Sequence, residues 1–289
     1  MSEQTAQPEP SPKNANDAGG ILLWLFAVAG WITTAIVQPI LNTFDYAGRF
    51  VILVVKTLLY IITLQIPVGQ TIQQMAHLGT DSLFIVTLCL GFTGMISATI
   101  LAQRTQELGF GIQYLGGAVL WAMAQDLAPV LGAMVMAGRI GAGIASEIGS
   151  MKVTEQIDAL RALAVPPIKH LVVPRVIALG LMGPTVGFIA GFVGVWAGWL
   201  PLGGLNVDLV QGVHLSHRMY FDSVFGVLNY KLLWINYKKN LIFGLIIAFI
   251  ACLEGFETKG GAKGVGVTVT RAVVIAMVCV YIADLILTL

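Results

Sequence analysis

The sequence predicts an all-α integral membrane protein. It has about five transmembrane helices, an N-terminal helical region that is interfacial or re-entrant, and a polar helix in the middle. Three observations predict this class. Of 289 residues, 57% are hydrophobic and 11% charged, and the mean hydropathy is +0.84; a soluble domain needs more polar residues to cover its surface. The apolar residues gather into runs near the roughly 20 needed to cross a bilayer. Between two such runs lies ASEIGSMKVTEQIDAL, residues 145–160, with four charged side chains.

Taken in order, residues 1–20 are polar and lack the basic start of a signal peptide, so they read as a disordered cytoplasmic tail. The apolar run 21–40 carries Trp24 and Trp31, residues suited to the headgroup level, and ends near Pro39. Residues 50–69 contain Lys56 and Pro67, which makes them a poor span. Region 21–69 is expected to be interfacial or re-entrant, with 21–40 also long enough to span.

Five runs then read as spans. Residues 82–101 are free of charge, whereas 112–140 are interrupted by Asp126 and Pro129. Residues 171–200 carry Gly183, Gly187, Gly191, Gly194 and Gly198, small-residue spacings that let another helix approach closely; internal packing is preferred over a dimer seam. Residues 241–256 and 271–289 complete the set. Two spans separate segment 139–175 from segment 254–271, so both basic segments share one side. The positive-inside tendency makes it the cytoplasmic one.

In the central segment, Val153, Ile157, Leu160 and Ala164 fall at i, i+4, i+7 and i+11, one apolar stripe with Glu155 and Asp158 opposite. Thr154 or Ser150 caps the turn, and Val165-Pro166-Pro167 ends the helix, because proline cannot continue the hydrogen-bond ladder. This is either a solvated connector or a docking helix for a soluble partner, placed at about 145–164. The run from Glu155 to Pro174 is similar to the EAA loop of bacterial ABC importer permeases, with Arg161 where that loop has its glycine.

The wider stretch is more specific. AGRIGAGIASEIGSMKVTEQIDAL and HLVVPRVIA, together with TKGGAKGVGVTVTRAVV at 258–274, closely resemble the MlaE-type (YrbE-like) permeases of MCE-associated lipid transport systems. The likeness covers roughly residues 45–289, and the permease domain is set at 21–289. The resemblance implies a membrane subunit of an ABC transporter that moves phospholipid or related lipids between membranes. It implies a homodimer, two ABC ATPase subunits on the cytoplasmic side that bind ATP and Mg²⁺, and an MCE-domain protein on the opposite face. The setting it implies is a bacterial inner membrane or a plastid inner envelope.

Within that resemblance, Gln125-Asp126-Leu127-Ala128-Pro129-Val130 matches the family's Arg-Glu-Leu-Gly-Pro-Val pattern, with the arginine and the glycine replaced. A carboxylate in an apolar span is costly unless it meets a partner or a water-filled cavity. Gln125, Asp126 and Leu127 are therefore the candidates for a lipid cavity, against a purely structural carboxylate. Glu147, Lys152, Glu155, Asp158 and Arg161 are the candidates for ATPase coupling. Arg139 and Glu147, eight positions apart and so about two turns, can share a helix face and pair.

Several classes are excluded or weakened. A net charge of +1 gives no basic surface for nucleic acid. The chain has no G-x-x-x-x-G-K-[ST]; GGAKGVG at 260–266 lacks the Lys-Ser/Thr pair, so this chain is not expected to bind nucleotide or act as an enzyme. GRIGAG at 138–143 follows no strand. His214 and His217 lack a third metal ligand, and no cofactor is expected here. Cys89, Cys252 and Cys279 lie in apolar runs without metal or redox spacing. Two other functions stay open: a secondary transporter using Asp126 and Pro129 near the midplane, and a membrane scaffold built on the glycine seams.

Overall fold

The computed structural model describes residues 38, 41, 44–108, 111–204 and 215–289. The tail 1–20 and nearly all of the run 21–40 lie outside the described residues. The chain divides into one unit ending at Val55 and a second, Lys56–Leu289, which carries the spans and the sites described below. Residues 44–62 are helical (α1), and no strand occurs among the described residues.

The second unit contains five helices long and apolar enough to cross a membrane. They are α2 (Val68–Leu108), α3 (Ile112–Val153), α5 (Ile168–Leu202), α7 (Tyr230–Phe256) and α8 (Gly261–Thr288). Two short helices join them: α4 (Gln156–Ala162) between α3 and α5, and α6 (His217–Val227) between α5 and α7. Helix α2, with 41 residues, is about 60 Å long at 1.5 Å per residue, twice a hydrocarbon core. It is therefore longer than a straight crossing of the lipid tails requires.

Helix α7 is the most enclosed span and α2 and α8 the least. It packs against α5, α8 and the last part of α3, while α5 also packs along α2. The glycines make these approaches possible. A Cβ on Gly194 would lie 2.8 Å from the Leu90 carbonyl oxygen, and one on Gly94 would overlap the Gly194 carbonyl. Gly183 faces the α7 backbone at Asn240 and Gly244, and Gly191 faces Ala128 of α3. The small-residue seam of α5 is spent on internal packing against α2, α3 and α7.

Three turns of wider π geometry interrupt the spans, at Met123–Leu127, Ala137–Gly141 and Ile168–Val172. Proline explains two of them. In a regular helix the ring of Pro129 would clash with the Gln125 carbonyl, and Pro174 would clash with His170. Just before each proline the register widens: Ala128 donates to the Met123 carbonyl and Val173 to the Ile168 carbonyl. Pro167 begins α5 rather than merely ending the preceding helix, since its fixed φ suits a first turn.

The central segment is not one helix. Helix α3 runs to Val153; Glu155 then takes a left-handed conformation (φ 60°), and α4 starts at Gln156. Thr154 ends the first helix, its hydroxyl donating to the Ser150 carbonyl at 2.9 Å. The expected stripe is accordingly split. Ile157 is fully buried, Val153 and Leu160 are half-buried, and Ala164 is a second left-handed residue (φ 57°) outside any helix.

Candidate functional site

Two places in the second unit combine polar chemistry with the spans. The first is the turn between α3 and α5. Asp158 on α4 accepts from the Lys152 ammonium at 2.9 Å and from Arg161 at 3.0 Å. The Lys152 hydrogen bond, aided by the two positive charges, holds the Asp158 carboxyl below its ordinary range. This pins α4 back onto the end of α3. The 257–260 turn before α8 lies beside it: a Cβ on Gly149 of α3 would meet the Thr258 hydroxyl oxygen at 2.8 Å. Both basic segments therefore end on one face of the bundle.

Of the five residues expected to couple, Lys152, Asp158 and Arg161 form one ion-paired cluster, and Glu155 occupies the left-handed turn beside it. Glu147 belongs elsewhere. It is paired at 2.8 Å with the buried Arg175 of α5.

The second place is inside the spans. The Lys239 side chain on α7 is only 2% exposed, and its ammonium lies 2.8 Å from Asp126 of α3 and 2.7 Å from Asp284 of α8. It also donates to the Thr288 hydroxyl at 2.9 Å. A lysine removed from water requires such partners, because an unpaired buried charge is strongly unfavourable. Three helices are tied together at one ammonium.

The neighbouring π turn explains a second contact. Ala128 donates to Met123, and Pro129 has no N–H to give to the Ala124 carbonyl. The buried amide of Asn236 supplies that donor at 2.9 Å. Asn240 in turn donates to Asn236 at 3.0 Å. Asn236, Lys239 and Asn240 form one polar strip on α7, facing the irregular turn of α3.

Beside this strip, α3, α5, α6 and α7 line an apolar cleft. Leu120 and Ala124 line it from α3, Phe192 and Trp196 from α5, Phe225 from α6, with Asn236 as a polar side chain at its wall. Helix α6 is latched over it by the Tyr220 hydroxyl, which donates to the Val195 carbonyl at 2.9 Å. Gln125, Asp126 and Leu127 are half-buried; they adjoin the strip but the cleft is lined one turn earlier, at Leu120 and Ala124. His217 packs between the rings of Trp199 and Phe221, and His214 lies outside the described residues.

Sequence reasoning missed Lys239, Asn236 and Asp284. The expected span 241–256 starts just after Lys239, although Asn236, Lys239 and Asn240 have the i, i+3, i+4 spacing of one helix face. Tyr230, Trp234 and Tyr237 stack along another face at centroid distances of 6.4 and 5.8 Å, an aromatic series suited to the membrane boundary.

The fold defines the class first: a polytopic integral membrane protein whose polar turn is displayed between two spans. Residues 71–289 match the family Permease MlaE, and the chain belongs to that family. It is 38% identical over 236 residues to a probable ABC transporter permease protein of Synechocystis sp., covering 81% of this chain and 86% of that protein. It is 36% identical over 218 residues to the chloroplastic protein TRIGALACTOSYLDIACYLGLYCEROL 1 of Arabidopsis thaliana, covering 75% of this chain and 60% of that longer protein. A probable ABC transporter permease protein of Rickettsia felis is 34% identical over 218 residues, covering 75% of this chain and 81% of that one. The bacterial and chloroplast relatives fit a bacterial inner membrane or a plastid envelope.

Proposed function

We propose that this chain is the membrane-spanning, non-catalytic subunit of an ABC-type transporter that moves phospholipid or a related lipid between membranes. Two copies form the pore. ATP and Mg²⁺ are held by separate ATPase chains on the cytoplasmic side, and an MCE-domain protein receives or delivers lipid on the opposite face.

The observation that carries this reading is the ion-paired turn Lys152–Asp158–Arg161 on α4. It is a short, charged helix ion-paired to the end of α3 and followed in the chain by α5, so a push on α4 reaches α3 directly and α5 through residues 163–167. The names of the bacterial relatives support an ATPase partner. A lipid cargo is supported by the apolar cleft and by the lipid named in the Arabidopsis relative. For the dimer, α8 offers an apolar stripe: Val267, Val274, Val278, Tyr281 and Leu285 are all more than half exposed and follow helical spacing.

In this reading, the Lys239 cluster positions α3, α7 and α8 against one another while α4 transmits motion. Gln125, Asp126 and Leu127 border the lipid path beside that cluster. The test is purification from native membranes in mild detergent. The account expects a co-purifying chain with Walker motifs, an MCE-domain protein, and lipid detected by mass spectrometry. A lone chain without an ATPase supports a secondary transporter or scaffold instead.

A further inference from the structure

Two of the spans are entered through turns of the same build. At the end of α1, Leu64 takes a left-handed conformation (φ 53°). Its N–H donates to the Ile61 carbonyl at 3.1 Å, and the Gln65 N–H donates to the Tyr60 carbonyl at 3.1 Å. At the end of α4, Ala164 (φ 57°) repeats this: its N–H donates to Arg161 at 3.0 Å, and Val165 donates to Leu160 at 3.0 Å. This paired closure is the Schellman cap. A proline then stands at the start of the next span in both, Pro67 before α2 and Pro167 before α5.

The two turns are neighbours. The Lys169 ammonium, on the first turn of α5, donates to the Gln65 side-chain oxygen at 3.1 Å. The α1–α2 turn therefore lies at the end of the bundle that carries α4.

A left-handed cap favours glycine, because any Cβ crowds the backbone there. Leu64 holds that conformation without packing on the chain: it is 82% exposed, and among the described large apolar residues only the C-terminal Leu289 is more so. Such a cap commonly folds an apolar side chain back from its next position. That position is Gln65, which is bonded to Lys169 instead. Leu163, the last residue before the α4 cap, is 73% exposed as well. Backbone strain kept at an exposed side chain points to a use outside the fold. Of a bilayer, a second copy and a soluble partner, the setting favours the last. Leu64 is an apolar point rimmed by Thr63, Gln65 and Lys169, an arrangement of protein interfaces, and its turn is bonded to the residues that follow α4.

We propose that Leu64 is a second docking point for the ATPase chain that α4 engages, with Leu163 the apolar residue of α4 itself. The ATPase meets the two leucines with an apolar recess, and its motion enters α2 as well as α3. This rests on the reading of α4 as the coupling helix.

The test is co-purification of the ATPase from native membranes with the wild type, Leu64→Gly, Leu64→Asn and Leu163→Ser, each also unfolded by heat in detergent. Glycine and asparagine both accept a left-handed conformation, so the Leu64 variants keep the turn. The expected result for them is an unfolding temperature unchanged or raised. The ATPase yield per chain is expected to fall about ten-fold in all three, as when one leucine is no longer buried at an interface. An unchanged yield in both Leu64 variants overturns the second docking point, and in Leu163→Ser it removes that residue from the surface. Loss of the dimer, or of chain from the membrane, with the ATPase ratio intact assigns Leu64 to a second copy or to lipid and overturns the proposal. The double change Glu155→Lys, Asp158→Lys is measured beside them. If it lowers the yield and the Leu64 variants do not, α4 still couples and only the second docking point falls. If no ATPase accompanies the wild type, the coupling reading falls and this proposal with it.

Discussion

The Lys239 ammonium on α7 lies 2.8 Å from the Asp126 carboxylate on α3, with the lysine side chain 2% exposed and the aspartate 44% exposed. The lysine is the member of the pair that cannot do without its partners, and Asp284 at 2.7 Å supplies the second. This asymmetry sets the order of effects.

Lys239→Met leaves two carboxylates facing each other without a cation. Removing one member of a buried pair costs about 3–5 kcal/mol, so thermal unfolding in detergent is expected to show a large loss of stability. Asp126→Asn alone is milder, because Asp284 remains and Asp126 is partly solvated. The triple change Lys239→Met, Asp126→Asn and Asp284→Asn is expected to recover stability relative to Lys239→Met. A triple variant no more stable than the single one contradicts the cluster.

Asn236→Leu removes the donor that serves the Ala124 carbonyl where Pro129 has none to give. Leaving a buried acceptor unpaired costs about 1–3 kcal/mol. Adding Pro129→Ala restores a backbone N–H, so the double variant should recover part of the loss in the same unfolding assay. Additive losses would show that the two residues do not share this function.

Gly94→Val puts a side chain into the α5 backbone at Gly194. Overpacking of a close contact costs about 1–3 kcal/mol or more, and the expected result is reduced folding yield and lower unfolding temperature. Gly48→Ala, where an added Cβ meets nothing within 4 Å, serves as the control. Equal behaviour of the two contradicts the close α2–α5 approach.

The spans were legible in the sequence because a bilayer demands about 20 apolar residues whatever the tertiary fold. Proline positions were equally readable: Pro166 and Pro167 end the central segment, and Pro129 marks an irregular turn. What was not legible depended on contacts between distant segments. Nothing local tells that Lys239 meets residues 113 positions before it and 45 after it. The pair Lys238-Lys239 interrupts the apolar run, so the sequence places the span at 241–256 and not from Tyr230 on. The break at Thr154–Glu155 was hidden for another reason: a left-handed glutamate defies local preference, and the apolar stripe of Val153 and Ile157 runs on across it. The glycine spacings of α5 announced a close approach, but only the fold assigns their partners.

Asp158 offers a pH test of the α4 cluster. Its carboxyl is held below the ordinary aspartate value of 3.8, mainly by the hydrogen bond from Lys152. A depressed value in the folded state means that the contribution is complete above 3.8 and lost as pH falls below it through the folded value. An NMR titration of Asp158 should therefore show a midpoint under 3.8 that rises in Lys152→Met. A midpoint unmoved by that change would contradict the pairing.

The central claim is that α4 couples this chain to an ATPase. The most direct measurement is co-purification of that ATPase with the wild type and with Glu155→Lys, Asp158→Lys from native membranes. The account predicts that the charge reversal lowers the ATPase yield about ten-fold or more, as expected when desolvated charges at an interface are opposed, with the same amount of chain in the membrane. Equal ATPase yield with both proteins would contradict it.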